Sequence, residues 1–223
     1  MLKAVTAVAL LGAAGPGPVV LELTLVLPAA DTERSRDIAT GVRFGVEEAV
    51  HTARLVGAEV VLTVDRDARG DVVLGGLDRT TCDALSREAA RRPFIYIALG
   101  CGGRASDSSW TFHLEPDGGA ESAGAVLWHP ALERYGAGQL NARFVERFGR
   151  PMSAAAWSGW MAVKIALEAA LKARASDPRA LRKVLTAPMR FDGHKGAPLS
   201  FDSGHRLAQP LYRDGDTPAE IRP

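Results

Sequence analysis

"FHLEPDGGAESAGAVLWHPALERYGAGQLNARFVERFGRP" spans residues 112–151, and its reading decides the fold. The first residues read as the end of a strand. The last carry Leu140, Phe144 and Phe148 at helical spacing and read as an amphipathic helix leading into a further helix. Between them, residues 117–130 form a bridge rich in Gly, Ala and Ser, with little to pack. The two ends belong to one folded unit, and the middle is a shortcut.

Upstream, "VVLELTLVLP" (19–28) is β-rich and apolar, as a strand covered on both faces would be. After the loop "AADTERS", Ile38, Val42, Val46 and Val50 mark one helix face. Gly41 and Gly45 lie on nearly the same stripe, where they would allow close approach to a sheet. "AEVVLTVD" (58–65) and "DVVLGG" (71–76) read as the second and third strands. "LDRTTCDALSREAARR" (77–92) reads as a helix with Thr80 or Thr81 as N-cap and Cys82, Leu85 and Ala89 facing inward. "PFIYIALG" (93–100) is a fourth strand. "WTFHLEP" (110–116) is a fifth, more alternating and so nearer an edge.

Downstream, a long helix over about residues 153–174 has Ala156, Trp160, Val163, Leu167 and Leu171 on one face. Trp157, Met161, Lys164 and Glu168 fall on another. "SDPRALRKVL" (176–185) starts a helix with Asp177 as N-cap and Pro178 at the first helical position. "APLSFDSGHRLAQPLYRDG" (197–215) reads as two short strands about a Ser-Gly turn. Strands alternating with helices through short loops imply an α/β fold with a mainly parallel sheet and right-handed crossovers.

The 223 residues are 47% apolar and 24% charged, with a formal net charge of +1. That is an ordinary globular balance, and it lacks the concentrated basic charge of a nucleic-acid or anionic-membrane binder. Residues 1–14 have the order of a secretory signal: Lys3, an apolar run over 4–11, then small residues before a Gly/Pro break. The alternative for this segment is a buried N-terminal helix or strand. No later stretch reaches the roughly 18 apolar residues of a membrane span. Residues 19–223 are then a single α/β domain.

An even pair of cysteines in an exported chain suggests one disulfide, Cys82–Cys101. Cys82 lies in the first turn of the helix after strand three and Cys101 just past strand four. If those strands are neighbours, both sulfurs meet at one sheet edge. The rival role is a reactive thiolate at a helix N-terminus. The five histidines have no metal-site spacing. "DTERSRD" (31–37) lacks the Gly and terminal Glu of a calcium loop and reads as a solvated helix start, with a hard cation as the alternative. Neither phosphate-loop pattern nor G-x-S-x-G is present, so no catalytic group, cofactor or metal is expected.

The order of elements resembles the type I periplasmic solute-binding proteins, the branched-chain amino-acid-binding-like family of ABC importers. Three stretches carry the resemblance. They are "LTLVLPAADTERSRDIATGVRFGVEEAV", "GDVVLGGLDRTTCDALSREAARRPFIYIALGC", and "NARFVERFGRPMSAAAWSGWMAVKIALEAALKARASDPRALRKVL" with the closing "FDGHKGAPLSFDSGHRL". "WHPALERYGAGQLNARF" and "GRPM" look more like a branch associated with pyrroloquinoline-quinone-dependent alcohol dehydrogenase systems. The family has two α/β lobes that trap ligand between them. The resemblance therefore implies one Rossmann-like lobe, with residues 117–130 as a connector replacing the second. The alternative is a short insertion hairpin in an unrelated α/β domain.

Ligands of open α/β sheets sit beyond the carboxyl ends of the strands. Here that edge comprises residues 29–33, 65–67, 75–81, 100–104 and 115–117. By resemblance, Asp78, Thr80 and Thr81 stand where the family's hydroxyls and backbone N–H groups meet a small ligand. Gly100 and Gly102 stand at a second such place, where the usual Ser/Thr is missing. Asp31 and Thr32 belong to the same edge. Thr80 and Thr81 have the plainer alternative of capping a helix. Trp157 could stack on a flat ligand, or lie over the helix shoulder as a partly exposed aromatic. The expected role is an exported, non-enzymatic component of an ABC transport system in the periplasm. It would bind a small ligand weakly, because one lobe offers one wall, unless a permease or a second copy (a homodimer) completes the site. The competing role is an interaction module for a periplasmic dehydrogenase component, which needs an exposed apolar patch near Trp128 and Trp157.

Overall fold

The structure is a computed structural model that describes residues 18–102, 108–116, 124–213, 215 and 220–221. The expected signal, residues 1–14, lies outside the described residues. The main sheet has β1 (Val20–Val26), β2 (Glu59–Asp65), β3 (Val72–Gly76), β4 (Ile95–Leu99) and β5 (Thr111–His113) in the order β2-β1-β3-β4-β5. All four pairings are parallel. The parallel α/β lobe read from the sequence is therefore present, with β5 at one edge.

Parallel strands need apolar cover on both faces, and the side chains divide accordingly. Leu21, Leu23 and Leu25 of β1 join Leu74, Ile95, Ile97, Leu99 and Phe112 on one face. Over them pack α1 (Glu33–Leu55), α3 (Ala137–Phe148), α4 (Ala154–Ala173) and α5 (Pro178–Leu185). The C-terminal helices thus fold back onto the N-terminal strands in one core. Val26, Val73, Tyr96 and Ala98 face the other way, against Leu85 and Ala89 of α2 (Arg79–Arg91). Between β2 and β3 the crossover carries no helix. Residues 66–71 return across the sheet as a loop, pinned where the Thr24 hydroxyl donates to Arg69 O at 2.5 Å and with Ala68 buried.

Gly41 and Gly45 serve a helix rather than the sheet. A Cβ on Gly41 would fall 1.8 Å from Ala156 O, and one on Gly159 would fall 2.4 Å from Ile38 O. The small residues therefore let α1 and α4 touch backbone to backbone. Because α4 is wedged between α1, the sheet and the C-terminal strands, it is buried nearly all round. Trp157, Met161 and Val163 are fully covered, and Lys164 and Glu168 pair at 2.7 Å on its remaining outer strip.

The bridge is better anchored than its composition implies. Residues 125–126 form β6, which pairs antiparallel with β10 (Leu211–Arg213), itself paired with β11 (Glu220–Ile221). Ala125, Leu127 and Trp128 join the main core. A second small antiparallel sheet holds β7 (Phe191–Asp192), β8 (Pro198–Phe201) and β9 (Leu207–Ala208), with the expected hairpin between β8 and β9. It backs onto β5, where His113 N–H donates to His205 O at 2.8 Å.

Candidate functional site

The strand order changes direction between β1 and β3, and the loops beyond that point part to leave a crevice. A half-open cleft of about 670 Å³ lies at this carboxyl edge. Thr32, Glu33 and Arg34 of α1 line one side, and Ser153, Ala154, Ala155 and Ser158 of α4 line another. Gly100, Gly102 and Glu115 come from the ends of β4 and β5. Ala125, Val126 and Leu127, in and just after β6, complete the lining.

Two helix N-termini meet here, each with its cap satisfied. Thr32 caps α1: its hydroxyl accepts from Ser35 N–H at 3.1 Å, and Ser35 Oγ accepts from Thr32 N–H at 2.9 Å. Ser153 caps α4 by accepting from Ala156 N–H at 3.1 Å. The N–H groups at the very start of each helix have no intrahelical carbonyl within reach, and they carry the positive end of the helix dipole. Of the charged side chains that line the cleft, Arg34, Asp37 and Glu115 are paired, and Glu33 is exposed at the rim. Glu115, almost wholly buried, accepts from Arg34 Nη2 at 2.7 Å and from Gly102 N–H at 2.8 Å. Asp37 accepts from Arg150 Nη1 and from Ser153 Oγ, each at 2.5 Å, which ties α1 to the start of α4. Anion-favouring backbone thus lies beside an apolar wall of Ile38, Ala125, Val126, Leu127, Ala154 and Ala155.

Of the residues expected at the site, Thr32 and Gly102 line the cleft. Asp31 does not; it is exposed, faces a neighbouring hollow and pairs with Arg36 at 3.3 Å. Asp78, Thr80 and Thr81 also fall outside it. Asp78, and neither threonine, is the N-cap of α2. Its carboxylate accepts from the Thr81 hydroxyl at 2.6 Å and from Thr81 N–H at 2.9 Å, and these bonds hold its pKa below the usual carboxylate value. Aspartate wins the cap because a charged acceptor satisfies two donors of the first turn at once.

Trp157 is a core residue, with no exposed surface. It stacks on Trp128, its indole N–H donates to Gly193 O at 3.3 Å, and Lys195 Nζ sits 3.9 Å over its ring. Neither a ligand-stacking role nor the exposed patch around Trp128 and Trp157 survives this burial. Arg34, Asp37, Glu115, Ser153 and Ser158 were not picked out as site residues by the sequence reading. The available signal was Ser153 ahead of a helix and Glu115 at a strand end; nothing in the sequence pairs Arg34 with a residue 81 positions away.

The expected disulfide is present: Cys82 and Cys101 are bonded, with Cα atoms 6.0 Å apart. It joins the first turn of α2 to the loop that supplies Gly100 and Gly102. Among the described residues, no group of His, Cys, Asp and Glu could hold a metal ion. No helix among them is long and apolar enough to cross a membrane.

No protein-family profile and no curated protein sequence matches the chain. Solved structures do. The branched-chain amino acid transporter substrate binding protein from Streptococcus pneumoniae, in complex with isoleucine, superposes with a TM-score of 0.74 at 8% identity, covering 92% of this chain and 100% of that one. An ABC-type branched-chain amino acid transporter protein from Rhodopseudomonas palustris gives 0.72 at 11%, covering 91% and 96%. A solute binding protein from R. palustris, in complex with benzoate, gives 0.70 at 13%, also covering 91% and 96%. The chain therefore has the type I periplasmic binding fold, in 223 residues that amount to about one lobe.

Proposed function

We propose that the protein is a non-enzymatic solute-binding component of an ABC importer, exported to the periplasm, that holds a small organic acid in the cleft at the carboxyl edge of its sheet. One observation carries this reading: the cleft joins two capped helix N-termini to an apolar wall, and Arg34, Asp37 and Glu115 in its lining are already paired. A carboxylate can meet first-turn N–H groups, and an apolar body can lie on Ala125–Leu127. Transport rather than catalysis is also supported by the shared fold, in which one solved protein holds isoleucine and another holds benzoate.

Residues 117–130 act on this reading as the connector in place of a second lobe, so the cleft has one wall and affinity is low. Good pockets bury about 70–90% of a small ligand, and a single wall cannot. The phrases "WHPALERYGAGQLNARF" and "GRPM" support service beside a quinoprotein alcohol dehydrogenase system. Docking of such a dehydrogenase on the former cleft face through Trp128 and Trp157 has no support, since both rings are buried.

Isothermal titration with leucine, isoleucine and benzoate tests the reading. Wild-type protein should bind at least one of them, and Ala154→Phe, which fills the cleft, should not. The reading is lost if none binds, or if Ala154→Phe binds as well as wild type.

A further inference from the structure

The two edges of the main sheet differ. β5 is short and wholly buried, and the C-terminal hairpin covers it: His113 bridges to Arg206, and its N–H bonds to His205 O. β2 is seven residues long and terminal in the strand order. Natural sheets guard such an edge with Pro, Lys, a bulge or a covering segment. β2 has no Pro, its charged residues Glu59 and Asp65 stand only at its two ends, and its register with β1 runs unbroken from Glu59 to Asp65.

Glu59 N–H donates to Val19 O at 2.8 Å, so Glu59 and the residues in step with it turn their backbone groups toward β1. The alternate residues Val60, Leu62 and Val64 turn theirs to the outer edge, where no other described strand pairs. Apolar side chains are exposed along the same border: Val61 and Val64 on β2, Leu55 and Val56 just before it. Since no helix follows β2, the face that bears Val61 and Thr63 lacks the cover a crossover helix gives a parallel sheet.

We infer that β2 pairs antiparallel with β2 of a second copy about a two-fold axis, continuing the sheet across the dimer. A symmetric pair is self-complementary, because the outward N–H and C=O groups of one strand meet those of the other. Charge selects the register. Centring the axis on Leu62 sets Glu59 against Asp65, two like charges. Centring on Thr63 sets apolar Val61 against the Asp65 carboxylate. Centring on Val61 pairs Val60 with Leu62, Glu59 with Thr63 and Ala58 with Val64, with no carboxylate opposite another or opposite an apolar side chain. Val60 and Leu62 then exchange hydrogen bonds, and the two Val61 residues form the close, non-hydrogen-bonded pair at the axis. This surface lies away from the cleft and does not depend on the proposed ligand.

Sedimentation equilibrium of the whole protein without added ligand, alongside Val61→Lys, tests the inference. Wild type should be in monomer–dimer equilibrium, and Val61→Lys should weaken the dimer about tenfold or more by facing two cations across the axis. Under mild oxidation Val61→Cys should give a disulfide-linked dimer, whereas Val64→Cys, opposite Ala58 in this register, should not. A wild-type protein that stays monomeric at high concentration overturns the inference, even if its edge captures an unrelated extended peptide. So does a dimer that Val61→Lys leaves intact, or cross-linking as efficient at position 64 as at 61.

Discussion

Trp128 and Trp157 stack in an offset, parallel arrangement, with ring centroids 5.9 Å apart and planes 8° from parallel. One ring comes from the connector and the other from α4. Each indole N–H is satisfied, Trp128 by Asn141 Oδ1 at 2.9 Å and Trp157 by Gly193 O. The pair is the bolt that holds the segment around β6 to α4. Trp128→Ala or Trp157→Ala should each cost about 3–5 kcal/mol in urea denaturation. The double variant should lose less than the sum, because the rings share one contact.

Lys195 lies against this stack. Its ammonium is buried, donates to Gln209 Oε1 at 2.6 Å and Pro210 O at 3.1 Å, and sits over the Trp157 ring. Burial pulls its pKa well below the usual 10.5. The unfolded chain then holds this proton to higher pH than the folded one, so folding gains stability as pH rises toward 10.5. Stability of wild type relative to Lys195→Met should climb from neutral to alkaline pH. A difference that stays flat over that range would contradict the assignment.

The glycines of the α1–α4 contact should be the least replaceable in the fold. Gly41→Ala puts a methyl group into the Ala156 carbonyl and should cost about 3 kcal/mol or more. Gly149→Ala, at the αL cap of α3 with open space around it, should cost about 1 kcal/mol from its positive φ alone. Paired thermal melts would rank the two, and a larger loss at Gly149 would refute the packing argument.

The Cys82–Cys101 bond closes a loop of 19 residues' separation. In the chain-entropy account, Cys82→Ala with Cys101→Ala should lower stability by about 3 kcal/mol. The loop it tethers presents Gly102 N–H to Glu115, so hydrogen exchange at Gly102 should quicken in the same variant. Unchanged exchange there would show that the bond does not hold the cleft floor.

The parallel sheet, its five strands and the cap at Asp177 were legible because period and capping chemistry are local. The disulfide was legible because two short strand–loop units bring its ends together. Trp157 was misplaced because a helix buried on nearly all sides has no single apolar stripe. Asp78 and the two threonines compete for one cap on nearly equal propensity, and only geometry decides between them. Gly41 marks close packing in the sequence, but whether strand or helix approaches depends on tertiary structure. The Arg34–Glu115 and Asp37–Arg150 pairs join residues 81 and 113 positions apart, and neither spacing nor composition encodes them.

The proposed function requires that a small solute be held weakly in the half-open cleft between the N-termini of α1 and α4. Titrating the ¹⁵N-labelled protein with leucine and with benzoate, followed by amide NMR, tests this most directly. The predicted result is fast-exchange shifts confined to Thr32, Gly100, Gly102, Ala154, Ala155 and their neighbours, saturating with a Kd of about 1 mM. Shifts centred instead on Asp78–Thr81 at α2, no shifts with either solute, or submicromolar binding by a monomer would contradict it.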